Sequence, residues 1–63
     1  MESLGFVHGA RRWRHRESGQ LYTWDALHGE VEAFNPQGVH QGSLDPQTGD
    51  VIKRAVKGRR INV

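Results

Sequence analysis

Apolar and polar residues alternate in short runs along the middle of the chain, and turn-forming residues separate these runs at even spacing. Such a pattern is typical of an antiparallel β meander. No run shows a helical period over a useful length. A sheet this small must twist to cover its own apolar face, so we predict a mainly β fold, a small, highly twisted antiparallel sheet of about five strands. The predicted strands are residues 11–15, 20–24, 29–34, 39–44 and 51–54.

Turn residues mark the boundaries between these strands. The segment from Asp45 to Gly49 is the clearest reversal, because proline presets φ in a turn and glycine closes it. Residues 17–19 and 35–38 have similar turn chemistry. Residues 1–10 are weakly patterned, and we predict a weakly structured lead that is a short helix, a tethered arm or disordered. We predict one domain over the 63 residues.

The tryptophans are the main candidates for the core. Alternation places Trp13 on the inner side of the first predicted strand and the neighbouring arginines outward. Because the chain has few large apolar residues, we expect both Trp13 and Trp24 to be core residues. A chain of this length buries only about 60% of its unfolded surface, so the core must be small.

Composition excludes several kinds of protein. The chain has no cysteine, which excludes disulfides and thiolate metal sites, and its four histidines lack close ligand spacing. We therefore expect no metal and no small-molecule cofactor. No stretch resembles a signal peptide or a membrane span, so we expect no membrane partner and a cytoplasmic site of action.

Charge is distributed unevenly along the chain. Nine Lys and Arg residues against seven Asp and Glu residues give a formal net charge of +2. The basic residues cluster at 11–16 and 53–60, and the acidic residues concentrate between them. This arrangement suits a protein that holds a polyanion and acts on it. The alternative is that these charges only keep the surface soluble.

Residues 22–34 concentrate the groups that acid–base chemistry requires. Cleavage of RNA without a metal needs a base for the 2′-hydroxyl, an acid for the leaving 5′-oxygen and a cation for the phosphorane. In a strand, Glu30, Glu32 and Phe34 share one face. If Glu32 packs near Phe34 and loses water, its pKa should rise toward the range of a useful base. The alternative is an exposed glutamate on a polar face.

His28 is the candidate proton donor, because histidine titrates near neutrality and Asp25 is placed to fix its tautomer. Four residues of extended chain span about 13 Å, which is too far for His28 and Glu32 to reach one phosphate unless the chain bends. Gly29 is the residue that permits such a bend. Spacing alone favours Glu30 as the partner of His28.

Cations and aromatic side chains complete the candidate site. Arg59 and Arg60 are equal candidates for the cation of the transition state, since a guanidinium binds phosphate bidentately. Lys53 and His40 add positive potential. The candidates for stacking on an unpaired base are Tyr22, Trp24 and Phe34.

Most of these candidates belong to one longer pattern. It consists of Arg12-Trp13, Tyr22-x-Trp-Asp-x-x-His-Gly-Glu-x-Glu32, Gly38-x-His-x-Gly-Ser-x-Asp-Pro-x-Thr-Gly49 and a basic tail. With a single one-residue gap near residues 35–38, the chain from 11 to 60 resembles the cytotoxic ribonuclease domain of the ribosome-inactivating colicins and cloacin. The resemblance covers about four-fifths of the chain.

The resemblance implies a metal-independent endoribonuclease toxin on a twisted antiparallel sheet. Such a toxin cuts small-subunit (16S) ribosomal RNA at the decoding site by 2′-hydroxyl transesterification and so inhibits translation. Position by position, the resemblance implies that Glu32 is the general base and His28 the general acid. It also implies that Asp25 supports the histidine and that Arg59 is the catalytic arginine.

The remaining candidates are assigned to substrate binding. Phe34 departs from a tyrosine of the family, so whatever that hydroxyl contributes is absent here. The positions that match residues contributing to the family's site are Tyr22, His40 and Lys53. The full substrate-binding set is Tyr22, Glu30, Phe34, His40, Lys53 and Arg60.

The expected partners are the ribosome with its 16S RNA and an acidic immunity or antitoxin protein. The colicins carry further regions ahead of this domain, so we expect either a free-standing toxin or a module of a larger one that is delivered from another cell. The alternative function is a non-catalytic RNA- or ribosome-binding module on a small β scaffold, which the basic ends and the aromatic residues would also suit.

Overall fold

The structure is a computed structural model that describes all 63 residues. It contains one six-stranded antiparallel sheet in which the strands follow one another in chain order. The prediction of a mainly β antiparallel sheet is therefore confirmed. No helix is long and apolar enough to cross a lipid bilayer. The strands are β1 (Glu2–Val7), β2 (Ala10–Arg14), β3 (Leu21–Asp25), β4 (Glu30–Phe34), β5 (His40–Leu44) and β6 (Val51–Arg54).

The first strand corrects the prediction of a weakly structured lead over residues 1–10. Val7 pairs with Ala10 across a two-residue turn made of His8 and Gly9, whose φ angles are 52° and 82°. Positive φ at both central residues is what a type I′ hairpin requires, and its twist matches that of the strands it joins. The histidine–glycine pair is thus the sequence signal for β1.

Contacts across the β1–β2 pair hold the first strand in place. Arg14 Nη2 donates to Glu2 Oε1 over 2.6 Å, and the Arg11 guanidinium lies 4.9 Å from the centroid of the Phe6 ring. A register shift next to Gly5 interrupts the alternation of β1. This bulge explains why period-two patterning is weak in the first ten residues.

The register of the strands defines two faces of the sheet. Residues directly opposite one another in antiparallel strands present their side chains on the same side. One such row continues from β2 to β6, and we call its side of the sheet the covered face. The row consists of Arg12, Thr23, Glu32, Ser43 and Lys53.

The C-terminal segment, residues 56–63, reaches across the covered face from β5 to β2. Ile61 N donates to Gly38 O over 2.9 Å, and Arg12 Nη1 donates to Asn62 O over 2.8 Å. Gly38 has a φ of 86°, and a Cβ atom there would collide with the carbonyl oxygen of Ile61. Glycine at position 38 therefore permits the close approach of this segment.

The core differs from the predicted one. Trp24 is 38% exposed, Trp13 is only partly buried, and Arg12 is buried instead. The cause is the register, because Arg12 rather than Trp13 lies in the row that faces the C-terminal segment. The expectation that both tryptophans are core residues and that the arginines point outward is thus wrong. The buried apolar side chains are Leu21, Ala33 and Phe34, and the buried polar side chains are Arg12, Glu32, His40 and Ser43.

Candidate active site

The carboxylate of Glu32 lies at the centre of the covered face, where the residue is 5% exposed. Ser43 Oγ donates to its Oε2 over 2.7 Å, and His40 Nε2 lies 2.7 Å from the same oxygen. Arg59 Nη1 donates to Oε1 over 3.2 Å. A buried carboxylate is stable only when it is paired and hydrogen-bonded. These contacts therefore hold Glu32 in one orientation.

A β-bulge brings His40 to this carboxylate. The register between β4 and β5 shifts just before Phe34, so that His40 rather than Gln41 lies opposite Phe34. The Nδ1 atom of His40 accepts a hydrogen bond from the backbone N–H of Val56 over 2.9 Å. Because Nδ1 accepts this hydrogen bond, Nε2 carries a proton and donates it toward Glu32.

The pKa of Glu32 reflects opposing influences. Burial is the largest of them and raises the pKa, but hydrogen bonds from His40 and Ser43 and the charge of Arg59 together outweigh it. The pKa therefore lies below its ordinary value of 4.5. The prediction of a raised pKa is wrong because it considered burial without the donors. Glu32 is ionised at neutral pH.

Asp25 and His28 form a second polar group at the end of the β3–β4 hairpin. Asp25 Oδ2 lies 2.7 Å from His28 Nδ1, and Asp25 Oδ1 accepts the backbone N–H groups of Leu27 and His28 over 3.1 and 3.2 Å. The hydrogen bond with the His28 ring is the largest influence that lowers the pKa of Asp25. An ionised Asp25 keeps a proton on Nδ1, so Nε2 of the half-exposed His28 ring is left for other partners.

Glu30 lies directly opposite Asp25 in the sheet. Lys53 Nζ is 3.0 Å from Glu30 Oε1, in an ion pair that lacks hydrogen-bond geometry. Ligand atoms of Asp25, His28 and Glu30 lie within 4.8 Å of one another, so these are the residues that could hold a metal ion. The ammonium group beside Glu30 opposes a divalent cation at this position.

The β3–β4 hairpin places the Glu32 carboxylate and the Asp25–His28 pair on the covered face. Asp25 and Glu30 pair across β3 and β4, and Glu32 follows two residues later on the same side of β4, about 7 Å along the strand. The turn after Asp25 returns His28 toward Glu30, as spacing alone favours. The hairpin therefore brings His28 close to Glu30, and Glu32 lies one step further along the same side of β4.

Comparison with known proteins identifies the family. A protein-family model described as Cytotoxic matches residues 6–62. The chain belongs to the Cytotoxic family. This match confirms that the sequence resembles the colicin-type toxin domain.

Individual relatives of this Cytotoxic domain are bacteriocins of Escherichia coli. It is 41% identical to colicin E3 over 52 residues, and 40% identical to colicin E6 and to cloacin over 51 residues. These matches cover 81% and 79% of the chain but only 9% of each relative. The chain therefore spans about a tenth of the length of the relatives it matches.

Arg59 and Arg60, which the sequence pattern does not distinguish, have different partners in the structure. Arg59, distant in sequence, lies against Glu32. Arg60 is exposed, and its Nη2 donates to Gln37 O over 3.4 Å. It faces a neighbouring cavity that Arg59 also lines.

The aromatic candidates are not available together at this site. Phe34 is 1% exposed and packs edge-on against His40, with ring centroids 5.2 Å apart, so it cannot stack on a base. Instead, the Arg59 guanidinium lies 5.9 Å from the centroid of its ring. Tyr22 lies opposite Trp13 and Ala33 on the other face of the sheet, away from Glu32.

Two buried polar residues have surroundings that the sequence pattern does not predict. Ser43 is not among the candidate site residues predicted from the sequence, yet it donates to Glu32. Arg12 was assigned to the surface, yet it lies beneath the C-terminal segment. The pairing of β4 with β5 was the signal for Ser43, because the predicted strands place it opposite Glu32 once the register is known.

Proposed function

We propose that this domain is an endoribonuclease that cuts small-subunit (16S) ribosomal RNA at the decoding site without a metal ion. The observation that carries the proposal is an ionised, buried Glu32 in contact with Arg59, on the same face as the Asp25–His28 pair. This arrangement supplies a base, a cation and an acid. The whole reaction is a transesterification that leaves a 2′,3′-cyclic phosphate and a 5′-hydroxyl.

Glu32 acts as the general base in this proposal. Its Oε2 is occupied by Ser43 and His40, whereas Oε1 has a single contact, with Arg59. Oε1 therefore accepts the proton of the 2′-hydroxyl, and the 2′-oxygen attacks the adjacent phosphorus. When Arg59 turns toward the phosphate, Glu32 loses part of the positive field that lowers its pKa and becomes a stronger base.

Arg59 and His28 complete the reaction. The guanidinium of Arg59 stabilises the charge that develops on the phosphorane oxygens. The bond from phosphorus to the 5′-oxygen breaks, and protonated His28 gives its Nε2 proton to that oxygen. Asp25 holds the Nδ1 side of the ring, which orients Nε2 toward the leaving group.

The proposed target is the ribosome in the cytoplasm, and the proposed neutralising partner is an acidic immunity or antitoxin protein. A net charge of +2 with basic ends supports both, since each partner presents negative charge. A cell that contains an active copy of such a nuclease requires a partner of this kind.

Cleavage in the presence of EDTA tests the proposed function. Intact ribosomes and naked ribosomal RNA are incubated with the protein, and the new RNA ends are mapped and tested for cyclic phosphate. We expect a single major cut in the small-subunit RNA and far slower cutting by the Glu32→Gln variant. Binding that depends on salt but gives no cleaved product in either substrate would refute the enzyme and favour a non-catalytic RNA-binding module.

A further inference from the structure

A cavity lined by basic side chains lies next to the Glu32–Arg59 pair on the covered face. A cavity of about 300 Å³ opens between the β1–β2 hairpin and the C-terminal segment. Its lining contains no carboxylate and includes four basic side chains. These are His8, Arg12, Arg59 and Arg60. Thr23 adds a hydroxyl group and Phe34 an apolar wall.

Arg12 is the unusual member of this lining. It is 6% exposed, and no carboxylate lies within ion-pair distance of it. Its Nη1 donates to Asn62 O over 2.8 Å, and its Nε has no hydrogen-bond partner. By contrast, Arg14 on the same strand pairs with Glu2 at 2.6 Å and is exposed. A buried charge without a counterion is costly to the fold, and an anion in the cavity would offset that cost.

The cavity is contiguous with the proposed catalytic group. Arg59 lines the cavity and also donates to Glu32, so one guanidinium borders both places. Successive phosphates of one RNA strand are likewise neighbours. A strand with its scissile phosphate at Glu32 and Arg59 therefore extends its next phosphate into the cavity.

We propose that Arg12 and Arg60 form a phosphate subsite for the nucleotide adjacent to the cleaved bond. The subsite rests on the proposed ribonuclease function, since it places an RNA strand relative to Glu32. Arg12 supplies a fixed buried charge, and exposed Arg60 closes over the phosphate from the C-terminal segment. Both are guanidinium groups, which match phosphate oxygens bidentately.

Binding of uncleavable dinucleotides by calorimetry tests the subsite independently of catalysis. The probes are a dinucleotide that lacks the attacking 2′-hydroxyl and the same molecule with an added 5′- or 3′-phosphate. In the unmodified protein, we expect the added phosphate at one of the two ends to tighten binding about tenfold. We expect this gain to disappear in Arg60→Gln and Arg12→Met. The control is Arg54→Gln, which removes an exposed arginine from the other face of the sheet and should retain the gain.

The thermal stability of Arg12→Met provides a second measurement. Because the buried charge has no counterion, its replacement by an apolar side chain of similar length should leave the melting temperature unchanged or raise it. A role of Arg12 in folding alone would lower it. If Arg12→Met does not fold, Arg60→Gln decides the question, because Arg60 is exposed and its loss leaves the buried residues in place.

The proposal is overturned if neither added phosphate tightens binding, or if the gain persists in Arg60→Gln. These outcomes are distinct from failure of the proposed function. A protein that binds the added phosphate but leaves ribosomal RNA intact retains the subsite and loses the enzyme. A protein that cleaves the RNA without any gain from the added phosphate retains the enzyme and loses the subsite.

Discussion

Glu32 remains charged inside the molecule because its neighbours outweigh its burial. Ser43 and His40 donate to one oxygen, and Arg59 contacts the other. Ser43, His40 and Arg59 lie 11, 8 and 27 positions from Glu32 along the chain. The sequence around Glu32 predicts which face it occupies, but it contains no information about donors from so far away. For this reason the face on which Glu32 lies was predictable, and the direction of its pKa shift was not.

Glu32→Gln should remove most of the cleavage activity while the protein remains folded. The amide has nearly the same shape but cannot accept the proton of the 2′-hydroxyl, so the single-turnover rate should fall by a factor of about 10² to 10⁴. Loss of an acceptor in contact with buried donors should lower the free energy of unfolding by about 1–3 kcal/mol. Single-turnover cleavage and urea denaturation measure the two effects.

The matched control is Glu17→Gln, in the exposed turn between β2 and β3. It makes the same chemical change without touching the covered face, so both quantities should stay close to those of the unmodified protein. A Glu32→Gln variant that cleaves at the normal rate would contradict the assignment and would transfer the role of base to Glu30.

The lowered pKa of Glu32 predicts how stability depends on pH. Because the pKa is lower in the folded state than in the unfolded state, the unfolded state binds more protons near this pKa. The stabilising contribution is complete above the ordinary value of 4.5 and is lost as the pH falls through the folded pKa. The free energy of unfolding, measured in urea between pH 7 and pH 3, should therefore decline in the acidic part of this range.

Glu32→Gln should show a shallower decline in stability over the same acidic range, because it lacks the titrating group. Asp25 and Glu2 also have lowered pKa values, so some decline should remain in the variant. Glu17→Gln should follow the unmodified protein. An identical pH dependence in Glu32→Gln and the unmodified protein would contradict the lowered pKa of Glu32.

The strands were the most predictable elements of the molecule, and the bulges were the least. Strands β2 to β6 lie within one residue of their predicted bounds because alternation and turn chemistry both indicate them. The register shift before Phe34 has no local signal, yet it turns His40 toward Glu32. Likewise, the bulge at Gly5 hides the alternation of β1. A β-bulge places one extra residue in one strand of a pair, so its position depends on both strands. The sequence of one strand alone does not specify it.

Gly38→Ala should disturb the C-terminal segment and, through it, the position of Arg59. The residue has a φ of 86°, and a methyl group would meet the carbonyl oxygen of Ile61. Gly49→Ala is the matched control, since Gly49 has a φ of 78° with open space around it. Both variants should lose about 1–2 kcal/mol of stability from the backbone conformation alone. Gly38→Ala should lose more stability and should also cleave RNA more slowly.

Urea denaturation and single-turnover cleavage separate the two contributions. The difference in stability between the variants reports the contact with Ile61, and the difference in rate reports the displacement of Arg59. Equal stability and equal rates in both alanine variants would mean that the C-terminal segment does not depend on this close approach.

The whole molecule gathers basic residues that are far apart in the sequence. Arg12 near the beginning and Arg59 and Arg60 near the end line one cavity, because the C-terminal segment crosses from β5 to β2. Uneven charge along the chain predicts a polyanion as ligand, and the fold places basic residues from both ends of the chain around one cavity. Convergence of both basic ends on the face of Glu32 was not predictable, since it depends on where the last eight residues pack.

This convergence predicts the salt dependence of RNA binding. If Arg12, Arg59 and Arg60 each neutralise one phosphate of a single strand, the logarithm of the affinity should fall with the logarithm of salt concentration with a slope of about −2. Arg60→Gln should make the slope shallower by about 0.7, the contribution of one phosphate. Arg54→Gln removes an equal charge from the opposite face and should leave the slope unchanged. Titration of an uncleavable oligonucleotide at several salt concentrations measures all three slopes. Equal slopes in the two variants would mean that RNA responds to the total charge of the molecule, whereas a change confined to Arg60→Gln would mean that it responds to the covered face.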